Sequence, residues 1–93
     1  MVHIIARIKL YEGGRKTPFA NGYRPLFDFI QGRKSSGQIT ILDKQLFFPK
    51  DEGIVQIDFL NRDLLGPNFS VGAKFTFGEG GAPLGEGHVV QIL

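Results

Sequence analysis

Ile4-Ile5-Ala6-Arg7-Ile8-Lys9-Leu10 places an apolar residue at every second position near the start of the chain. Arg7 and Lys9 fill two of the intervening positions. Successive side chains of a β-strand point to opposite faces of the sheet, so this alternation is typical of a strand with one face in the core and one in solvent. The segment therefore predicts a half-buried β-strand.

The same alternation recurs along the chain, and no stretch of about 11 residues has the 3.6-residue spacing of an amphipathic helix. Five further strands are predicted, at residues 23–29, 39–41, 55–59, 73–77 and 89–93. Turn-forming residues separate the strands, at 12–15, 21–22, 35–37, 51–53, 66–68 and 78–81. An open sheet of six short strands would leave two edges unpaired. The sequence therefore predicts an all-β fold that forms a closed or nearly closed barrel.

The composition is that of one small domain. The 93 residues are 42% hydrophobic and include nine Phe. This apolar content is enough to fill one hydrophobic core, and a chain of this length leaves no room for a second, so residues 1–93 are expected to form a single domain. No Cys is present, so disulfides and thiolate zinc sites are excluded. The net charge is only +2, so any nucleic-acid site must be a local concentration of cations. Without a secretory signal or a long apolar run, a cytoplasmic, non-membrane protein is expected.

Motifs for catalysis and cofactor binding are not found. Gly32-Arg-Lys-Ser-Ser-Gly37 has the glycine spacing of a P-loop, but Gln and Ile follow where that loop needs Lys and Ser or Thr. His3 and His88 are isolated and the carboxylates are scattered, so neither a metal site nor an acid–base pair is predicted. His88 shares the parity of Val90 and Ile92, which favours a packed or barrel-end histidine over a catalytic one. The sequence predicts no enzyme activity and no bound nucleotide, metal or cofactor.

A longer motif covers the first predicted turn. Residues 12–25 read E-G-G-R-K-T-P-F-A-N-G-Y-R-P, which resembles the signature E-G-G-R-x-T-P-F-x-x-G-Y-R-P that opens the third, C-terminal domain of bacterial elongation factor Tu. Phe48-Pro-Lys-Asp51 is similar to the M-P-G-D turn of that domain, and residues 75–81 resemble its final F-x-I-R-E-G-G-R loop. The resemblance is strong over 12–29 and weak over 30–47. It implies a small, closed, six-stranded antiparallel β-barrel.

The resemblance also implies a translation-linked function. In that factor, loops of the third domain contact the T-stem backbone of aminoacyl-tRNA. The implied RNA-binding residues here are Arg15, Lys16, Ser36, Gly37, Glu79 and Gly80. Arg33 and Lys34 lie just before Ser36, so we expect two basic pairs on one edge of the barrel, where cations suit a phosphate backbone. The predicted partner is tRNA or another structured RNA, bound without GTPase activity.

Departures from the family pattern support a second hypothesis. Ala82 stands where the family loop has Arg, and the sequence has no GTPase domain. A barrel without its companion domains would expose surfaces that they bury, so the alternative is a protein-interaction module. Such a module would mimic or dock onto a translation factor, or pair with a second copy of itself. Its candidate apolar contacts are Leu64, Leu65 and Phe69, unless these side chains fold back and close the barrel end.

Overall fold

A computed structural model describes the whole chain, residues 1–93. Its strands are β1 (Val2–Leu10), β2 (Leu26–Ile30), β3 (Arg33–Ile41), β4 (Glu52–Phe59), β5 (Lys74–Gly78) and β6 (Gly85–Ile92). Neighbouring strands are antiparallel in the order β1-β4-β3-β2-β5-β6, and β6 pairs with β1 to close the barrel. The only helical segment is a 3-10 turn, Arg62–Leu65. The predicted all-β fold, a closed six-stranded antiparallel β-barrel, is confirmed.

The connections lie at two ends of the barrel. Residues 11–25, 42–51 and 79–84 leave or enter the strands at one end, which we call the three-loop end. The β2–β3 turn at residues 31–32, the connection 60–73 and both chain termini lie at the other, which we call the terminus end. No helix in the structure is long and apolar enough to cross a bilayer.

One cluster of 17 buried hydrophobic residues fills the interior. The alternation in β1 is confirmed, because Ile4, Ala6, Ile8 and Leu10 are each at most 1% exposed. Phe27 joins several strands, since its ring packs edge-on against Phe59 with centroids 5.2 Å apart and against Phe75 at 5.5 Å. Such aromatic pairs favour edge-to-face packing, which fixes how the rings fit together.

Glycines lie opposite three of the large rings. The cross-strand pairs are Gly37 with Phe59, Gly85 with Phe77 and Gly87 with Phe75. A Cβ added at Gly37 would lie 2.7 Å from a ring carbon of Phe59, and one at Gly87 would lie 2.7 Å from a ring carbon of Phe75. The interior of a small barrel is filled by alternating large and small residues. At these three positions the glycine leaves the space that the ring on the neighbouring strand occupies.

β3 and β6 begin well before the positions, 39 and 89, at which their alternation predicts them to start. β3 starts at Arg33, so the predicted turn at 35–37 is wrong. The chain instead reverses at residues 31–32, where Gly32 has a φ of 81°. β6 starts at Gly85 and directs Val89 inward. His88 consequently points outward and is exposed, so the packed alternative for this histidine is wrong.

The connection between β4 and β5 closes the terminus end. Leu65 and Phe69 are 2% and 5% exposed, and the Phe69 ring packs edge-on against Phe29 with centroids 5.4 Å apart. Leu64 is partly buried. The hypothesis that Leu64, Leu65 and Phe69 form an exposed contact surface is corrected, because the side chains of Leu65 and Phe69 fold back into the core.

Candidate functional site

Aromatic stacking anchors the loops at the three-loop end. Phe19 and Phe47 exchange two backbone hydrogen bonds, of 3.0 and 2.9 Å, and their rings stack with centroids 5.1 Å apart. Phe19 also stacks on Tyr23, with centroids 4.5 Å apart. Since Phe19 and Phe47 belong to the buried core, the Tyr23 ring is fixed to the core through this stack.

Arg15 lies on this stack and contacts Glu79 from the third loop. The Arg15 Cζ lies 4.8 Å from the centroid of the Tyr23 ring, and its Nε donates to the Thr17 carbonyl at 2.9 Å. Arg15 Nη1 donates to Glu79 Oε2 at 2.6 Å, and the Tyr23 hydroxyl donates to the same oxygen at 2.5 Å. Arg15 and Glu79 are therefore brought together, as the resemblance implies, and they form an ion pair.

The environment of Tyr23 keeps its hydroxyl protonated. Burial disfavours the phenolate, and the hydrogen bond to Glu79 stabilises the neutral donor, so both raise the pKa of Tyr23 well above its usual value. The nearby Arg15 cation acts in the opposite direction and is outweighed. Tyr23 is therefore a fixed hydrogen-bond donor at neutral pH.

The implied second contact, at Ser36 and Gly37, lies within a strand and not in a loop. Gly37 is buried and its N–H donates to the Pro25 carbonyl at 3.3 Å. That N–H is not available to a phosphate, which corrects the expected role of Gly37. Ser36 pairs with Leu26 and its side chain is exposed on the outer face. Its hydroxyl is therefore open to solvent.

Arg33 and Lys34 lie where β3 begins, at the terminus end. Arg33 pairs with Ile30, the last residue of β2, whereas Arg15 contacts Tyr23, just before β2 begins. The four steps along β2 span roughly 13 Å. The expectation that both basic pairs share one edge is therefore wrong, since they lie at opposite ends of β2. The Lys34 ammonium donates to Asp28 Oδ2 at 3.0 Å.

Arg24 lies between the two pairs; it is a fixed position of the motif but was not among the implied RNA-binding residues. Its Nη2 donates to Gln38 Oε1 at 2.8 Å, and the Ile39 N–H donates to the Tyr23 carbonyl at 2.8 Å. These bonds hold Arg24 beside β3, where its side chain is exposed. A sequence signal existed, because the alternation over 23–29 already assigns Arg24 to the outer face of a strand.

Together these cations form what we call the basic strip, which consists of Arg15, Lys16, Arg24, Arg33 and Lys34. It runs along the β2–β3 ribbon from the three-loop end to the terminus end. Arg15 and Lys34 are paired with Glu79 and Asp28. Lys16, Arg24 and Arg33 have no carboxylate oxygen within 4.0 Å. Lys16 in the first loop, Arg24 beside β3 and Arg33 at the start of β3 are therefore free to bind an anionic partner.

A separate polar cluster lies on the outer face of β1 and β4. His3 Nδ1 lies 2.6 Å from Asp58 Oδ1, and Gln56 Nε2 donates to the same oxygen at 3.0 Å. Partial burial acts to raise the pKa of Asp58, but the hydrogen bonds from Gln56 and His3 outweigh it and lower that pKa below its usual value. No group of three or more His, Cys, Asp or Glu side chains lies close enough to hold a metal ion.

The Gly-Gly turns of the first and third loops face each other across a groove at the three-loop end. Gly13 and Gly14 line one side, and Gly81 and Pro83 line the other. Glu79 lies at this groove as well, so the Arg15 pair is at the surface of the molecule.

A scan against models of known protein families finds none that matches this chain.

Proposed function

We propose that this barrel is a stand-alone module, similar to the third domain of elongation factor Tu, that binds the phosphate backbone of structured RNA along the basic strip. The observation that carries the proposal is the presence of three exposed, unpaired cations: Lys16 in the first loop, Arg24 beside β3 and Arg33 at the start of β3. A tRNA-like duplex and a role in translation are what the resemblance adds. The proposed module has no enzymatic activity.

The surface of the strip favours backbone contacts over base stacking. The Tyr23 ring, which is the aromatic side chain beside the strip, already contacts Phe19 and Arg15. Proteins that bind single strands usually stack bases on open aromatic rings. The strip offers long cationic side chains and the hydroxyl of Ser36, which suit the phosphates and 2′-hydroxyls of an A-form helix.

The expected affinity is low and depends on salt. Each phosphate that a cation neutralises contributes about 0.7–0.9 to the slope of log K against log salt concentration. Three free cations therefore give a slope of roughly −2 to −3. A module of this strength would act beside another binding domain or on a concentrated RNA.

The test is fluorescence anisotropy with a labelled RNA hairpin that has a T-stem-like duplex, at two salt concentrations, with a DNA duplex of the same sequence beside it. The triple variant Lys16→Ala/Arg24→Ala/Arg33→Ala should lose binding while keeping its melting temperature. Lys9→Ala is the matched control. Lys9 is exposed and has no carboxylate partner, but it lies on β1, three strands away from β2. No RNA binding by the unmodified protein at low salt would end the proposal.

A second candidate function is contact with another protein at the terminus end. Met1, Leu60 and Leu93 are 75%, 69% and 60% exposed. They lie at one corner, because Leu60 follows the strand partner of Val2 and the Leu93 N–H donates to the His3 carbonyl. Leu60→Asp should abolish any concentration-dependent increase of mass in light scattering. A constant monomer mass, together with no mass shift on adding a translation factor, would exclude it.

A further inference from the structure

The Glu79 carboxylate receives two donors that would suit a phosphate. Its Oε2 accepts from Arg15 Nη1 at 2.6 Å and from the Tyr23 hydroxyl at 2.5 Å. We infer that Arg15 and Tyr23 form a phosphate subsite at the end of the basic strip, that Glu79 occupies it in the free protein, and that the RNA backbone displaces Glu79 on binding. This inference rests on the proposed function and deepens it, because it describes how access to the strip is controlled.

The two donors are held in place independently of Glu79. Arg15 is fixed by its bond to the Thr17 carbonyl and by its position over the Tyr23 ring. Tyr23 is fixed by its stack on the buried Phe19. Removal of the carboxylate would therefore leave the guanidinium and the hydroxyl where they are, and preorganised donors bind an anion at little cost in ordering.

The carboxylate itself is held much less firmly. Glu79 is half exposed and its side chain makes no hydrogen bond other than those to Arg15 and Tyr23. It is followed by Gly80 and Gly81, around which a Cβ would meet no atom within 4 Å. An exposed ion pair contributes little to stability. Glu79 is therefore free to leave, and a backbone phosphate, which carries the same single negative charge, can accept the two donors in its place.

The opposing explanation is that the pair only ties the first loop to the third. Under that explanation, neutralising Glu79 would loosen the loops and would not improve RNA binding. The two explanations differ in the sign of the effect on affinity, and the chain offers a matched control. Glu86 is also exposed and also accepts from a tyrosine, since the Tyr11 hydroxyl donates to its Oε1 at 2.9 Å, but it has no cation partner.

The experiment compares Glu79→Gln with Glu86→Gln in anisotropy titrations with the same RNA hairpin. We expect Glu79→Gln to bind about five-fold tighter, the effect of roughly one added charge-assisted contact, and to steepen the salt slope by about 0.7–0.9. Glu86→Gln should change the affinity less than about two-fold, because it removes only long-range repulsion. Adding Arg15→Ala to Glu79→Gln should abolish the gain.

A second measurement uses the unmodified protein and does not depend on the variants folding. In NMR spectra, the ¹⁵N–Hε signal of Arg15 should shift when RNA is added. The corresponding signal of Arg7 should not shift, because Arg7 lies on the opposite side of the barrel, where its Nη2 is 3.9 Å from Glu52 Oε1. Two results would overturn this inference and leave the proposed function standing. The unmodified protein could bind RNA while Glu79→Gln binds no tighter than Glu86→Gln, or the Arg15 signal could stay unchanged when the protein is saturated with RNA. If no variant binds RNA, the proposed function fails and the inference with it.

Discussion

The Phe59 ring lies directly against the backbone of Gly37, its partner in the β3–β4 ladder, so closely that a Cβ at Gly37 would lie 2.7 Å from the ring. Gly37→Ala would therefore force the ring or the strand to move. Overpacking of this kind costs about 1–3 kcal/mol. We expect a loss of this size in the free energy of unfolding, measured by urea denaturation.

Gly81→Ala is the control for this substitution. A Cβ at Gly81 would meet nothing within 4 Å, and its φ is not positive. Replacing such a glycine reduces the entropy of the unfolded chain, so stability should stay the same or rise by up to about 1 kcal/mol. Equal destabilisation by Gly37→Ala and Gly81→Ala would show that the ring contact is not the cause.

The same glycines explain why the early starts of β3 and β6 could not be predicted from the sequence. Ser-Ser-Gly and Gly-Glu-Gly are typical of turns when only neighbouring residues are considered. In the barrel, Gly37, Gly85 and Gly87 are strand residues because a Phe on the adjacent strand needs their space. This requirement is set by residues far away in the sequence, so the local alternation of apolar and polar residues cannot predict it. The six strands themselves were predictable because one face of each is buried.

The candidate site was predictable in part. Arg15 and Glu79 are 64 residues apart, and only the resemblance placed them near each other. The pairing of their charges depends on side-chain geometry that a motif does not contain. The resemblance predicts Arg33 beside Arg15, because it implies that residues 36–37 belong to a loop at the same edge. The extension of β3 moves Arg33 to the terminus end, so the resulting surface is a strip along β2 and β3.

Leu65 should act as a core residue and not as a contact residue. Leu65→Ala removes a side chain that is 2% exposed and should lower the free energy of unfolding by about 2–5 kcal/mol. Leu64→Ala removes its partly exposed neighbour and should cost less. Chemical denaturation of both variants measures the difference. If Leu65→Ala were as stable as the unmodified protein, Leu65 would not help to close the terminus end of the barrel.

Asp58 should make the barrel less stable in acid. Its pKa is lowered in the folded state from the usual value of 3.8. A lowered carboxyl pKa gives stability that is fully present above the unfolded value and is lost as the pH falls through the folded value. Stability should therefore decline as the pH falls below about 4. Asp58→Asn should make this decline shallower in thermal melts collected from pH 7 to pH 2.

Asp63→Asn is the comparison for Asp58, because Asp63 is an exposed carboxylate with no cation partner. It should leave the acid limb of the stability curve unchanged. His3→Ala removes one of the two side chains that bond Asp58 and should move the curve in the same direction as Asp58→Asn. An acid limb that is identical in all four proteins would show that another group controls acid unfolding.

Lys50 has a positive φ of 76°, the only such value at a residue other than glycine. The Asp51 N–H donates to the Phe48 carbonyl at 3.0 Å, so Phe48, Pro49, Lys50 and Asp51 form a β-turn with Pro second and the positive φ third. A turn of this type favours glycine at the third position. A left-handed conformation costs a residue with a side chain about 1–2 kcal/mol, and replacing it by glycine removes this strain. Glycine also increases the entropy of the unfolded chain, which lowers the free energy of unfolding by about 0.4–1 kcal/mol. The net effect of Lys50→Gly should therefore be a stabilisation of about 0.5–1 kcal/mol. Lys50→Ala is the control. It keeps the unfavourable φ and removes the exposed ion pair with Glu12, so it should not raise the free energy of unfolding. Urea denaturation of both variants measures the difference, and equal stabilisation of the two would assign the effect to the lost lysine side chain and not to the backbone.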